Sequence, residues 1–78
     1  MKAFLEYVAR SLVDDPDAVV VEVSEGDEEV TLTLKVGEGD MGRIIGRDGR
    51  IANAIRSLLR VMATRDGRHV ELEIETDE

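Results

Sequence analysis

Two stretches of alternating apolar and polar residues, 30–36 and 70–75, constrain the fold of this chain most strongly. Strict alternation is typical of a β-strand that buries one face and exposes the other. The residues between the two stretches carry a helical pattern, so the second strand returns to the sheet through a helical crossover. Because such crossovers usually join parallel strands and are right-handed, the two stretches predict a parallel pair.

A third strand is predicted at 19–23, where a run of valines favours extended backbone. The turn residues at 24–27 link this strand closely to 30–36, which predicts an antiparallel hairpin. Strand 30–36 then lies in the centre of a three-stranded mixed sheet, with 70–75 on its other side. The hairpin turn is acidic, and we expect it to be a solvated tip that repels a nucleic-acid backbone.

Three helices are predicted, at about 2–13, 41–45 and 50–63, from apolar residues that recur at helical spacing. The longest of them is expected to bury an apolar face formed by Ile51, Ala54, Ile55, Leu58, Leu59 and Met62. Asp40 is a suitable N-cap for the short helix at 41–45, because its side chain can accept a backbone N–H. Residues 76–78 are expected to fray.

The predicted element order is α-β-β-α-α-β, and the fold class is α+β with two layers, in which all three helices cover one face of the sheet. Seventy-eight residues make a single small domain, 1–78, in which every element must contribute to one core. The opposite face of the sheet is polar and is expected to meet solvent. Its residues are Thr31, Thr33, Lys35, Glu71, Glu73 and Glu75.

The composition excludes several kinds of site. The chain has no cysteine, which excludes disulfide bonds, thiolate metal sites and a cysteine nucleophile. His69 is the one histidine, so a zinc site is not expected, and no cofactor is predicted. The N-terminus lacks the long apolar core of a signal peptide, and no segment reaches the length of a membrane span. We therefore expect a soluble, cytoplasmic protein.

Charge is distributed unevenly along the chain. The net charge is −8, which by itself argues against a nucleic-acid partner. Residues 41–70, however, carry seven arginines against Asp48 and Asp66, for a local charge of +5. Residues 1–40 and 71–78 carry −8 and −5. The basic segment inside an acidic protein is therefore the place to look for a site that binds an anion.

The basic segment contains Gly42–Arg50, with three glycines and three arginines in nine residues. Gly46 and Gly49 bracket two polar residues between two predicted helices, and glycine permits both positive φ and the close approach of a ligand. The second helix begins directly after the loop, so its free N–H groups and its dipole favour an anion such as phosphate. The residues that add charge or aliphatic surface around this point are Arg43, Arg47, Arg50, Ile44 and Ile45.

The chain contains an internal control for this motif. The sequence Arg-Asp-Gly-Arg occurs at 47–50 and again at 65–68, where it ends a helix and enters a strand. The second copy is explained as a helix C-terminal turn, so these four residues alone carry little information. Taken alone, 46–49 fits a helix–helix corner as well as a binding loop. The element order, the isoleucine pair and the local charge favour a binding loop.

The segment Gly42–Ile51 resembles the signature of K-homology (KH) domains, in which a (V/I)-I-G-x-x-G segment joins two helices. The element order resembles the bacterial type II KH fold, and the short chain resembles the KhpA-type single-KH RNA-binding proteins. The resemblance implies that the loop 46–49 clamps the backbone of about four nucleotides of single-stranded RNA, while Ile44 and Ile45 receive bases. The predicted RNA-binding residues are Arg43, Ile44, Ile45, Gly46, Arg47, Asp48, Gly49, Arg50 and Asn53.

Asp48 departs from the pattern, since similar loops often carry a basic residue at this position. An acid next to a phosphate weakens binding unless it faces away or caps the following helix. Asp48 precedes the second helix by about two residues, which suits such a capping role. Arg47 is then the residue expected to make the charged contact.

These observations leave more than one class of function open. The leading hypothesis is a non-catalytic RNA-binding module, which the resemblance links to RNA chaperone, post-transcriptional regulatory or ribosome-related roles. The alternative is a protein-interaction adapter with little RNA affinity, which pairs with itself as a homodimer or with a larger KH-containing protein. Arg56 and Arg60 fit either a solvated helix face or an RNA contact. An enzyme is not expected, because the loop lacks the P-loop sequence and the carboxylates look like surface charge.

Overall fold

The structure is a computed structural model, and it describes residues 1–76. The elements are α1 Lys2–Leu12, β1 Val20–Glu25, β2 Glu29–Val36, α2 Met41–Ile45, α3 Arg50–Arg65 and β3 His69–Thr76. Short 3-10 turns lie at Pro16–Ala18, Glu38–Asp40 and Arg47–Gly49. The predicted order α-β-β-α-α-β is confirmed. Thr76 belongs to β3 rather than to a frayed end, and the expected fraying at 77–78 lies outside the described residues.

β2 is the central strand of the three-stranded sheet, as predicted. It pairs antiparallel with β1, where Val21 lies opposite Leu34, and parallel with β3, where Ile74 lies opposite the same leucine. The segment that contains α2 and α3 is therefore a crossover between neighbouring parallel strands. A connection of this kind returns over one face of the sheet and carries its helices on that face.

One face of β2 forms the centre of the core. Its fully buried side chains are Val30, Leu32, Leu34 and Val36. They pack in one cluster with residues from all three helices, namely Leu5, Ala9, Ile44, Ile55 and Leu59. The predicted two-layer arrangement is therefore confirmed. On the opposite face, the three glutamates of β3 are exposed, whereas Thr31, Thr33 and Lys35 of β2 are half-buried.

The buried face of α3 differs from the predicted one. The residues that α3 buries are Ala52, Ile55, Leu59 and Ala63. Ala54 and Leu58, which were predicted to be buried, are exposed, and Leu58 keeps 52% of its accessible surface. Ile51, Ile55, Leu59 and Met62 of the predicted face do pack in or against the core, so the buried face is rotated from the predicted one towards Ala52 and Ala63. Small alanines line the true face, which allows α3 to approach the residues beneath it closely.

Asp40 does not cap α2 with its side chain, so this prediction is wrong. Its backbone has φ −104° and ψ −2°, which is helical, whereas a side-chain N-cap usually has extended backbone. The carboxylate is instead buried, with 5% of the residue exposed, and it accepts hydrogen bonds from the N–H groups of Asp14 and Asp15 at 3.1 and 3.2 Å. Asp40 thus ties the start of α2 to the connection between α1 and β1.

The orientation of α3 can be tested with two adjacent leucines of that helix. We expect Leu59→Ala to lower the free energy of unfolding by about 2–5 kcal/mol, because it empties a fully buried position. The matched control Leu58→Ala changes an exposed position and is expected to alter it by no more than about 0.5 kcal/mol. Urea denaturation followed by circular dichroism measures both, and equal losses would contradict the observed orientation.

A candidate nucleic-acid interface at the loop between α2 and α3

The loop between α2 and α3 is tightly folded on itself. Gly46 ends α2 with φ 75° and ψ 176°, one 3-10 turn follows, and α3 begins at Arg50. The N–H of Gly46 donates to the carbonyl of Gly42 at 2.9 Å, and the N–H of Gly49 donates to the carbonyl of Gly46 at 3.2 Å. These two donors are satisfied within the chain. Binding of an anion here therefore depends on other N–H groups and on the arginines.

Gly46 is required by its conformation and by its neighbour Ile51. Its dihedral angles lie in a region that glycine alone adopts readily. A Cβ at this position would lie 2.6 Å from Cγ1 of Ile51, so the isoleucine occupies the space that a side chain would need. The sequence predicted that the missing Cβ would leave room for a ligand. At Gly46 that room is filled by the first turn of α3 instead.

Gly49 and Asp48 are explained by backbone conformation. Gly49 has φ 75° and ψ 13°, and a Cβ there would have Nδ2 of Asn53 as its nearest neighbour, at an ordinary 3.7 Å. Asp48 has φ 57° and ψ 23°, the left-handed conformation that aspartate and asparagine tolerate better than most residues. The N-cap of α3 is Gly49 and no side-chain hydrogen bond caps the helix, so the capping role predicted for Asp48 is wrong. Its carboxylate is exposed at the loop.

The two isoleucines before the loop have different environments. Ile44 is fully buried, with 0% of the residue exposed, and belongs to the main core. Ile45 is only partly buried. Ile44 therefore offers no side-chain surface to a base in this conformation, contrary to the sequence-based expectation. Its contribution is to fix the end of α2 against the sheet.

The arginines of the loop also differ. Arg47 and Arg50 are exposed, and neither makes an ion pair within residues 1–76. Arg43 is engaged by two carboxylates: its Nη2 lies 2.8 Å from Oδ2 of Asp14, and its Nε lies 3.3 Å from Oδ1 of Asp40. Arg47 and Arg50 are thus the cations that the loop presents to solvent. Asn53 is exposed one turn further along α3.

A crevice between α3 and the edge strand β3 continues from the basic side of α3. Its lining residues are Arg56, Leu59, Arg60, Val70 and Leu72. Nη2 of Arg56 is 3.5 Å from the backbone carbonyl of Leu72, so this arginine lies across the seam between helix and strand. From the sequence, Arg56 and Arg60 fitted either a solvated helix face or an RNA contact. Their position beside β3 could have been inferred from their spacing of four residues, on one side of Leu59, which was predicted to be buried.

The described residues offer little for other chemistry. Within residues 1–76, no group of three or more histidine, aspartate or glutamate side chains is arranged to hold a metal ion. In the same range, no helix has both the length and the apolarity that crossing a membrane requires.

Comparison with known proteins gives consistent matches along nearly the whole chain. The model of the KhpA/KhpB KH-domain family matches residues 2–74. The RNA-binding protein KhpA of Clostridium acetobutylicum is 46% identical over 74 residues, covering 95% of this chain and 99% of the relative. The RNA-binding protein KhpA of Borreliella burgdorferi is 49% identical over 70 residues, covering 90% and 85%. That of Chlamydia trachomatis is 45% identical over 74 residues, covering 95% of each.

A solved structure with a similar fold is the crystal structure of Era in complex with MgGDPNP and nucleotides 1506–1542 of 16S ribosomal RNA. The TM-score is 0.61 and the sequence identity is 21%. The match covers 96% of this chain but 29% of the Era chain. At this identity the likeness concerns the fold alone.

The three glycines of the motif allow a matched stability test. We expect Gly46→Ala to lower the free energy of unfolding most, since it combines about 1–3 kcal/mol of backbone strain with a clash against Ile51. Gly49→Ala should cost about 1–2 kcal/mol, the penalty for a left-handed alanine without a clash. Gly42→Ala adds a Cβ into open space within α2 and should stabilise by up to about 1 kcal/mol. Urea titrations measure the order, and an equal effect at the three positions would contradict it.

Proposed function

This chain belongs to the KhpA/KhpB KH-domain family, and from that premise we propose that it is a non-catalytic RNA-binding protein that grips short single-stranded RNA at the loop between α2 and α3. The relatives named above as RNA-binding proteins support the ligand class. The placement at the N-terminus of α3 is supported by two exposed arginines, Arg47 and Arg50, that make no ion pair within residues 1–76.

The proposed phosphate contacts follow from this arrangement. α3 has sixteen residues, and its start is the positive end of a helix dipole; the N–H of Arg50 donates to the carbonyl of Arg47, so the donors proposed for a phosphate are the N–H groups that follow it. Arg47 and Arg50 add two full charges next to that turn, where a phosphate of the RNA backbone would be held. The left-handed residues at 48 and 49 keep the loop narrow, which allows an RNA backbone to approach closely. Asn53 is within one helical turn and would supply a polar contact.

The bases would lie along the seam between α3 and β3. Ile45, which is partly buried directly before the loop, would begin this path, and the crevice lined by Arg56, Arg60 and Val70 would continue it. Aliphatic stems and guanidinium planes are suitable surfaces for stacking unpaired bases. Beyond Arg60 the seam is also lined by Glu29 and Glu71, so we place the end of the RNA path there.

The proposed affinity is modest. The loop offers two arginines that make no ion pair within residues 1–76, the net charge of the chain is −8, and an acid, Asp48, lies inside the loop. If about two to four phosphates are contacted, the log–log slope of affinity against salt is about −1.5 to −3. Weak, low-specificity binding suits a cytoplasmic RNA chaperone or post-transcriptional regulator, including one that acts near the ribosome, and we propose this broader role.

Two neighbouring loop residues with opposite charges test the RNA site. We expect Arg47→Gln to weaken binding of a short single-stranded RNA about five- to tenfold, the effect of losing one charge-assisted contact of about 1–1.4 kcal/mol. Asp48→Asn keeps the left-handed preference and removes the negative charge, so it should tighten binding about two- to fivefold. Fluorescence anisotropy at several salt concentrations measures both, and Arg47→Gln should make the salt slope shallower by about 0.7.

Arg10→Gln is the matched control for this test, because it removes the same charge from an exposed position on α1. If Arg10→Gln weakens binding as much as Arg47→Gln, the loop assignment is wrong. Failure of the wild-type protein to bind any short RNA would contradict the proposed function itself.

A second candidate function, a protein-interaction adapter, is favoured by the outer face of α3. Ala54, Leu58 and Val61 lie at spacings of four and three residues and form one exposed apolar ridge. Val61 keeps 55% of its surface accessible, as much as Leu58 does. A ridge of this kind on a small acidic protein could pair with a second copy of the chain or with another KH-containing protein. This pairing would leave the loop free for RNA.

The adapter hypothesis predicts a concentration-dependent homodimer that Leu58→Asp disrupts, because it places a charge in the centre of the ridge. Tyr7→Asp is the matched control, since Tyr7 is an exposed ring on α1 with 73% of its surface accessible. Sedimentation velocity at several protein concentrations measures the assembly. A strictly monomeric wild type would rule out self-pairing, and equal effects of the two substitutions would rule out the ridge.

A further inference from the structure

Asp14, Asp40 and Arg43 form a charged cluster beside the loop that RNA binding does not explain. The carboxylate of Asp40 is buried and holds three partners: the N–H of Asp14 on Oδ1, the N–H of Asp15 on Oδ2, and Nε of Arg43 at 3.3 Å from Oδ1. A second nitrogen of Arg43, Nη2, lies 2.8 Å from Oδ2 of Asp14. The cluster therefore joins three parts of the chain: the connection after α1, the 3-10 turn before α2, and α2 itself.

The buried carboxylate is fully satisfied by this arrangement. Taking an ionised carboxylate out of water is costly unless hydrogen bonds and an opposite charge compensate it. Asp40 has both, from two backbone N–H groups and one guanidinium. Among residues 1–76, no buried side-chain nitrogen or oxygen lacks a hydrogen-bond partner. The hydrogen bonds and ion pairs of the cluster thus hold together two segments that lie about 25 residues apart in sequence.

Arg43 is suited to bridging rather than to phosphate binding. It uses different nitrogens for its two carboxylates, a geometry that guanidinium allows and a single ammonium does not. An arriving phosphate would find Nε and Nη2 already facing carboxylates and would meet the repulsion of two negative charges at the remaining N–H groups. Arg47, four residues further on, has no such competitors within residues 1–76.

The location of the cluster gives it a mechanical role. α2 has five residues, which is too few for a helix to be stable on its own. Its direction must therefore be set by contacts with the rest of the protein. Ile44 supplies an apolar contact at the loop end, and the cluster supplies the polar contact at the start. Since Gly46 follows α2 directly, the direction of α2 sets the position of the loop.

We propose that Asp40 and Arg43 are positioning residues of the RNA-binding loop, and that Arg43 is not a phosphate ligand. This inference rests on the proposed RNA-binding function of the same loop, and it replaces the RNA contact that the sequence suggested for Arg43. The buried carboxylate and the bridging guanidinium hold α2 against the connection after α1. The loop is thereby kept in the conformation that accepts RNA.

Salt dependence separates positioning from phosphate contact. If loss of the bridge leaves about one tenth of the molecules with a competent loop, Arg43→Gln weakens RNA binding about tenfold without losing a phosphate contact. Its salt slope should then equal that of the wild type, whereas the slope of Arg47→Gln becomes shallower by about 0.7. A slope for Arg43→Gln as shallow as that of Arg47→Gln would overturn the proposal.

Arg43→Lys and Asp40→Asn refine the test. Lysine keeps the charge but has one nitrogen in place of the two that face the separate carboxylates, so Arg43→Lys should lose most of the affinity that Arg43→Gln loses; recovery of wild-type affinity would overturn the bridging role. Asp40→Asn should weaken binding with an unchanged slope, and wild-type binding would overturn its role. The control is Val30→Ala, which destabilises the core in β2 at a buried position away from the cluster and should retain wild-type affinity while folded.

A measurement without RNA keeps the two proposals distinguishable. Amide hydrogen exchange at residues 46–49 should be faster in Arg43→Gln and Asp40→Asn than in Val30→Ala at matched global stability. Equal exchange in the three variants would overturn the positioning role, whatever their RNA affinity. If exchange changes as expected but the wild-type protein binds no RNA, the proposed function fails and the structural role of the cluster remains.

Discussion

The burial of one face of β2 is the constraint on which the rest of the structure depends. Four alternating side chains of this strand are fully buried, and each helix contributes residues to the cluster around them. A chain of this length has only enough apolar surface for one such core. α2 therefore cannot move away from the sheet without exposing Ile44. Because the loop follows α2 directly, the packing of Ile44 in the core also fixes the position of the loop.

The loop itself is held from both sides. Gly46, Asp48 and Gly49 all have positive φ, which costs little at the two glycines and is a sparsely populated conformation only at Asp48. Ile44 fixes the chain before the loop, and Ile51 packs into the space beside Gly46 after it. The identity of Asp48 follows from the same geometry, because aspartate tolerates the left-handed region better than lysine or arginine would. At residue 48 an aspartate suits the left-handed backbone, whereas a basic residue would suit an anion better.

Much of the fold could be predicted from sequence, because alternation and helical spacing are properties of single segments. Strand order, strand direction and the placement of all helices on one face followed from the central strand at 30–36 and the crossover to 70–75. The rotation of α3 did not follow, because its outer face also carries Leu58 and Val61, which are as apolar as the residues that it buries. Local periodicity cannot distinguish two apolar stripes on one helix when only one of them meets the sheet.

The roles of individual site residues were harder to predict, because they depend on partners that are distant in sequence. Asp40 has the spacing of an N-cap, yet its hydrogen bonds reach Asp14 and Asp15. Ile44 and Ile45 are neighbours of the same type, and only contact with the sheet distinguishes a core residue from a partly accessible one. The sequence located the loop and its glycines. The assignment of each side chain to scaffold or surface required the packed structure.

In the folded protein, the basic and acidic parts of the sequence lie on different surfaces. α3 contains four arginines and no acidic residue, whereas the outer face of β3 carries three exposed glutamates and the hairpin turn is acidic. Those acidic surfaces repel a polyanion, so the α3 side is the surface at which a negatively charged chain would meet net attraction. The cluster of Asp14, Asp40 and Arg43 has two negative charges and one positive, so it marks the edge of this basic surface. A strongly acidic protein can in this way keep one basic surface, the one at which we propose that RNA binds, while its remaining surface repels polyanions.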